Sequence, residues 1–60
     1  MFIIKMQGEE RYWDAQNEES TGLFEEASLY VSVESAIFII DNDLSYMNDV
    51  CDYYWEVIGV

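Results

Sequence analysis

A small α+β domain, with one main helix on an antiparallel sheet and elements in the order β-β-β-α-β, is the fold this sequence predicts, and three observations predict it. Runs rich in β-branched and aromatic residues stand near both ends, FIIKMQ within Met1–Gln7 and YYWEVIGV over Tyr53–Val60. Between them Val33, Ala36, Ile37 and Ile40 recur at i, i+3, i+4 and i+7, the spacing of one helical face. Thirteen acidic residues stand against Lys5 and Arg11 alone, a formal net charge of −11, yet the chain is 52% hydrophobic. The low hydrophobicity that accompanies disorder at such charge is therefore missing, and the charge sits on a fold.

Met1–Gln7 reads as the first strand, and Gly8 with Glu9 and Glu10 supplies the turn into a second short strand, RYWDA. QNEESTG, Gln16 to Gly22, is polar and closes on a glycine, and it reads as a loop. Within Leu23–Val33, LFEEA suggests a helical turn. From Ser28 to Glu34, however, Leu29, Val31 and Val33 alternate with Ser28, Tyr30, Ser32 and Glu34, which places a third strand ending near Val31. Ser32 then stands as N-cap of a helix of about ten residues, with Glu34 in the first turn where the helix dipole favours an anion. The β-branched isoleucines of AIFII, Ala36–Ile40, leave a strand as the competing reading. Over Asp41–Asp52, Leu44, Met47 and Val50 or Cys51 fall at helical spacing behind Asp43, a stretch that extends or follows the helix. Tyr53–Val60 is the closing strand, expected to pair with the first.

Sixty residues make one domain, spanning 1–60, near the size at which a single core holds without staples. The compact-domain scaling gives a radius of gyration of roughly 10 Å and a globule about 27 Å across, so charge falls at about one per 2.5 Å of diameter. Duplex DNA carries about one per 1.7 Å. A body charged like this is drawn to basic surfaces and repelled by nucleic acid and anionic membrane. Self-repulsion lowers an already small stability, which a bound partner or a homodimer would restore. Cys51 is the only cysteine, so no intrachain disulfide forms, and with no histidine the commonest general base and transition-metal ligand are missing. The apolar Met1–Met6 stretch is too short for a signal-peptide core or a membrane span, which makes the cytoplasm the expected compartment.

Ile4-Lys5 closing a hydrophobic strand, Tyr12-Trp13 in the next, and then Ala27, Tyr30, Ser32, Glu34 and Ala36 follow the pattern of a loose class of very small bacteriophage-encoded proteins, which the chain resembles from roughly Met1 to Ile40. The resemblance implies a phage early product acting on a host protein in the host cytoplasm. Such proteins include acidic DNA mimics that inhibit restriction, CRISPR or transcription machinery. The acidic charge is heavier than that class carries, and Asp41–Asp52 has no counterpart in its pattern.

Asp41, Asp43, Ser45, Asp49 and Asp52 match oxygen-ligand positions 1, 3, 5, 9 and 12 of an EF-hand loop. Position 6 is Tyr46 where the sharp turn needs glycine, and position 12 is the short Asp52 rather than glutamate. A solvated acidic face is thus the preferred reading, with a calcium-binding module at 41–52 as the alternative, and no cofactor is expected. The pairs Glu9-Glu10, Glu18-Glu19 and Glu25-Glu26 lie in turn, loop and exposed positions, where solvation serves them better than acid–base work. Acidic neighbours raise the thiol pKa of Cys51, which argues against a nucleophile. No enzyme is expected.

Alternation along strands sends Tyr12 and Trp13, or Tyr54 and Trp55, to opposite faces, so the aromatics exceed what one small core encloses and some are expected at the surface. The expected function is that of a non-enzymatic acidic inhibitor blocking the basic, nucleic-acid-binding surface of a host defence or transcription protein, without contacting nucleic acid or membrane itself. The residues expected to meet that partner are Glu9, Glu10, Trp13, Asp14, Glu18, Glu19, Glu25, Glu26, Asp41, Asp43, Tyr46, Asp49, Asp52 and Trp55. Carboxylates would replace phosphates against Lys and Arg, and the aromatics would supply burial. A homo-oligomeric structural protein is the remaining alternative.

Overall fold

The computed structural model describes residues 1–44 and 54–60. It contains β1 (Phe2–Met6), β2 (Tyr12–Asp14), β3 (Glu19–Thr21), α1 (Val33–Ile39) and β4 (Trp55–Gly59). Every strand pair is antiparallel, in the spatial order β3-β2-β1-β4, so the chain is a small α+β fold with the expected element order. The radius of gyration is 10.3 Å.

β1 is central because both of its sides are apolar: Ile4 and Met6 point one way, Ile3 the other, and all three are buried. β4 lies along one edge, from Phe2 opposite Gly59 to Met6 opposite Trp55. Hydrogen bonds from Val60 N to Met1 O and from Gln7 N to Tyr54 O continue that ladder at its two ends. The even residues of β1 therefore direct their backbone groups to the other edge. There Met6 N donates to Arg11 O at 2.9 Å, while Phe2 and Tyr30 exchange two bonds of 2.8 Å. Gly8, at φ 77°, makes the turn between β1 and β2, a conformation that costs a residue without Cβ little.

The third strand is not where the alternation of Ser28–Glu34 placed it. β3 occupies Glu19–Thr21, inside the stretch expected to be loop, and pairs Trp13 with Ser20. Ser28–Tyr30 is instead an extended connector joined to β1 by the single Phe2–Tyr30 bridge, with Ser28 N donating to Trp13 O at 3.0 Å. It fills the gap where β2 diverges from β1. Its backbone is spent on those bonds, and its apolar alternation points outward: Ser28 and Tyr30 are half-buried, whereas Val31 is 77% exposed.

Ser32 caps α1 as expected, its hydroxyl accepting from Ser35 N at 3.1 Å, a bond that contributes about 1 kcal/mol to helices generally. Residues 36–40 are helical rather than extended, and a π-helical turn over Ile40–Leu44, which includes Asp43, prolongs the helix. The buried stripe is rotated from the expected one. Ala36 and Leu44 are buried and Ile39 and Ile40 pack on the core, while Val33 and Ile37 face outward. The wider π turn brings Leu44 onto the face of Ala36 and Ile40. Met47 and Val50 or Cys51, expected to continue the spacing, lie outside the described residues.

The core gathers Ile4, Met6, Trp13, Ala36, Leu44 and Trp55 between sheet and helix. On the opposite face of the sheet, Tyr12 is covered edge-on by Phe24, at 5.6 Å between ring centroids, from a single 3-10 turn over Phe24–Glu26. Among the described residues no helix is long and apolar enough to cross a membrane.

Tyr30 packs on the core with its hydroxyl buried and without a hydrogen-bond partner. Burial pushes its pKa up, and the nearby Asp43 carboxylate adds to this; the Ser28 side chain opposes them from outside hydrogen-bonding geometry. Tyr30→Phe is therefore expected to stabilise the fold by about 1 kcal/mol at neutral pH, since it deletes an unsatisfied buried group. Because the folded-state pKa is the higher one, the unfolded chain loses this proton first, and stability falls as pH rises past the ordinary tyrosine value near 10. Tyr12, raised because its hydroxyl donates to the Glu10 carboxylate at 2.9 Å, adds to the same alkaline loss. The difference between wild type and Tyr30→Phe in urea titrations on either side of that pH isolates the Tyr30 share, and identical pH profiles would refute it.

Candidate interaction surface

Several carboxylates stand near the ends of β2. Glu9 and Glu10 occupy the turn before it and are exposed, Glu10 also accepting the Tyr12 hydroxyl. At the far end the Ala15–Glu18 turn leads into β3, with Glu18 at φ 52°, a left-handed conformation that costs a residue with a Cβ roughly 1–2 kcal/mol. Asp14 absorbs that turn. Its Oδ1 accepts from Gln16 N at 3.0 Å and Asn17 N at 3.3 Å, and its Oδ2 from Asn17 Nδ2 at 2.7 Å.

Two concavities flank this turn. One, of about 400 Å³, is lined by Asp14, Gln16, Asn17, Glu25, Glu26, Ala27 and Ser28. Its Glu25–Glu26 wall is held in place by Thr21, whose hydroxyl donates to Glu26 Oε2 at 3.0 Å and accepts from Leu23 N at 3.1 Å. The other, of about 280 Å³, is lined by Trp13, Ala15, Glu18 and Asp43. Glu18, Glu25, Glu26 and Asp43, scattered in sequence, thus surround one end of the sheet. Both side-chain cations are engaged with uncharged oxygens. Arg11 donates to the Ser20 hydroxyl at 3.0 Å and the Ser20 carbonyl at 2.9 Å, and Lys5, opposite Glu56 in the ladder, donates to Met6 O at 3.1 Å.

Glu9, Glu10, Glu18, Glu19, Glu25, Glu26, Asp41 and Asp43 are all exposed. Three expected contact residues are not at the surface. Trp13 is 6% and Trp55 9% exposed, and their rings meet edge-on at 6.0 Å between centroids. The reason is register: Met6 stands opposite Trp55, and Lys5 opposite Tyr12 leaves Trp13 on the side of Ile4, so both indoles share the inner face. Asp14 is 4% exposed with both carboxylate oxygens occupied, so it shapes the turn rather than meeting a partner. Tyr46, Asp49 and Asp52, together with Ser45, lie outside the described residues. Among the described residues no three acidic, Cys or His side chains are grouped to hold a metal ion.

Among the described residues the exposed aromatics are Phe24, Phe38 and Tyr54. Phe38 and its neighbour Ile37 were missed because the favoured stripe assigned Ile37 to the core. The competing stripe Glu34, Ile37, Phe38 and Asp41 was present in the same segment at the same spacing. Set against protein-family models, curated proteins and solved structures, the chain matches none of them.

Proposed function

We propose that the protein is a non-enzymatic acidic inhibitor, of the phage-encoded host-directed kind its sequence resembles, that occupies the basic nucleic-acid-binding surface of a host protein. The observation that carries this reading is the gathering of exposed carboxylates from separate elements, Glu18, Glu25, Glu26 and Asp43, around one end of the sheet, while Arg11 and Lys5 bond to uncharged oxygens. Carboxylates so placed present an array of acceptors suited to bidentate capture of arginine and to lysine. Long-range attraction to a basic patch would speed encounter.

Capture of the target from host lysate on the immobilised protein supplies the reagent for the test. Excess DNA or RNA is then expected to displace the target, because both ligands need the same cationic surface. A ternary complex of target, nucleic acid and this protein would contradict occupation of that surface.

A further inference from the structure

The outward side of α1 and of the π turn that prolongs it carries Glu34, Ile37, Phe38 and Asp41 at i, i+3, i+4 and i+7, and all four are exposed, Ile37 at 45% and Phe38 at 63%. The inward side, through Ala36, Ile40 and Leu44, already makes the core. This helix is thus apolar on two sides. Beside this face, and sharing only Glu34 and Phe38 with it, runs an open groove of about 450 Å³ lined by Tyr30, Glu34, Ser35, Phe38 and Ile39. Resting on the binding role proposed above, we infer that this face docks a basic amphipathic segment of the target, with apolar residues against Ile37 and Phe38 and Lys or Arg against Glu34 and Asp41.

Charge complementarity selects that occupant. Carboxylates bracket the apolar pair at both ends on a chain of net charge −11, so a second copy or an anionic lipid surface meets repulsion and a cationic segment meets attraction. The groove asks for apolar atoms as well as charge, which a purely cationic ligand lacks. A segment with leucine-like residues at helical spacing, interleaved with lysine or arginine, satisfies both demands in one helix-in-groove contact.

Two synthetic probes separate this contact from general electrostatics: an amphipathic Leu/Lys helical peptide and an oligolysine of equal charge. At physiological ionic strength the double variant Ile37→Ser, Phe38→Ser is expected to weaken Leu/Lys peptide binding about tenfold or more, as removal of apolar anchors does. Oligolysine binding and melting temperature should stay unchanged. An unchanged affinity for the Leu/Lys peptide overturns the inference about α1 while leaving the acidic-binder reading intact. Failure of the wild type to bind either peptide overturns that reading too. A variant that unfolds would mean the face is covered within the chain, and a sedimenting dimer abolished by the substitutions would mean self-association; either overturns the inference. Amide shifts of the wild type on adding the Leu/Lys peptide give an answer without any variant: changes centred on residues 34–41 support docking there, and changes confined to the Ala15–Glu18 turn refute it.

Discussion

Trp13→Ala is expected to leave little folded protein at physiological temperature. The side chain is almost wholly buried, meets Trp55 edge-on and lies in one cluster with Ile4, Met6, Ala36 and Leu44. Truncating a buried tryptophan costs about 3–5 kcal/mol, and a chain of this size has only about 3–9 kcal/mol of stability in total. The cavity would open between sheet and helix. Trp13→Phe is the informative control. The indole Nε1 of Trp13 is buried without a hydrogen-bond partner, so phenylalanine removes an unsatisfied donor while keeping most of the ring, and about 1–2 kcal/mol is the expected loss. Circular dichroism melts distinguish the two. A Trp13→Ala protein whose melting temperature falls by only a few degrees, rather than by well over about 10 °C, would mean that the fold does not depend on the indole pair.

Salt is expected to act on the free protein and on its complex with opposite signs. Raising ionic strength from about 50 to 200 mM shortens the screening length from roughly 14 to 7 Å. In the free protein this relieves repulsion among exposed carboxylates, and the melting temperature rises. In the complex it weakens attraction between those carboxylates and a basic target, and the dissociation constant is expected to grow about tenfold or more over the same range. Replacing Glu18, Glu25, Glu26 and Asp43 with their amides should reduce both effects together, since the same charges cause them. Calorimetric titrations in parallel with thermal melts read the pair of trends. A salt-insensitive complex would sink the electrostatic reading, whatever the free protein does.

The fold class was legible because it rests on local signals that tertiary structure had no reason to override. Val57 and Ile58 mark β4, Ile3 and Ile4 mark β1, and Ser32 with Glu34 marks the start of the helix. β3 was not legible. Of Glu19, Ser20 and Thr21 only the threonine favours a strand, and they form one because β2, whose other edge is shared with Ser28, offers an unpaired ladder next to a tight turn. Conversely Leu29 and Val31 look like a strand face, yet the Ser28 and Tyr30 backbones are committed to bridging, which turns those apolar side chains to solvent.

The sequence by itself determined the net charge, the exposure of its paired glutamates, the capped helix and the terminal strands, since each depends on residue type and near neighbours. Which carboxylates share a surface, and which aromatics a core, only the tertiary structure decided. Asp14 sits in a glutamate-rich stretch and is spent on a turn; Trp13 and Trp55, far apart in the chain, are brought together on one face by antiparallel register across β1. Charge is additive along a chain, so composition reports it. Facing is not, because one residue of register exchanges the two sides of a strand, and one residue of phase rotates a helix by about 100°.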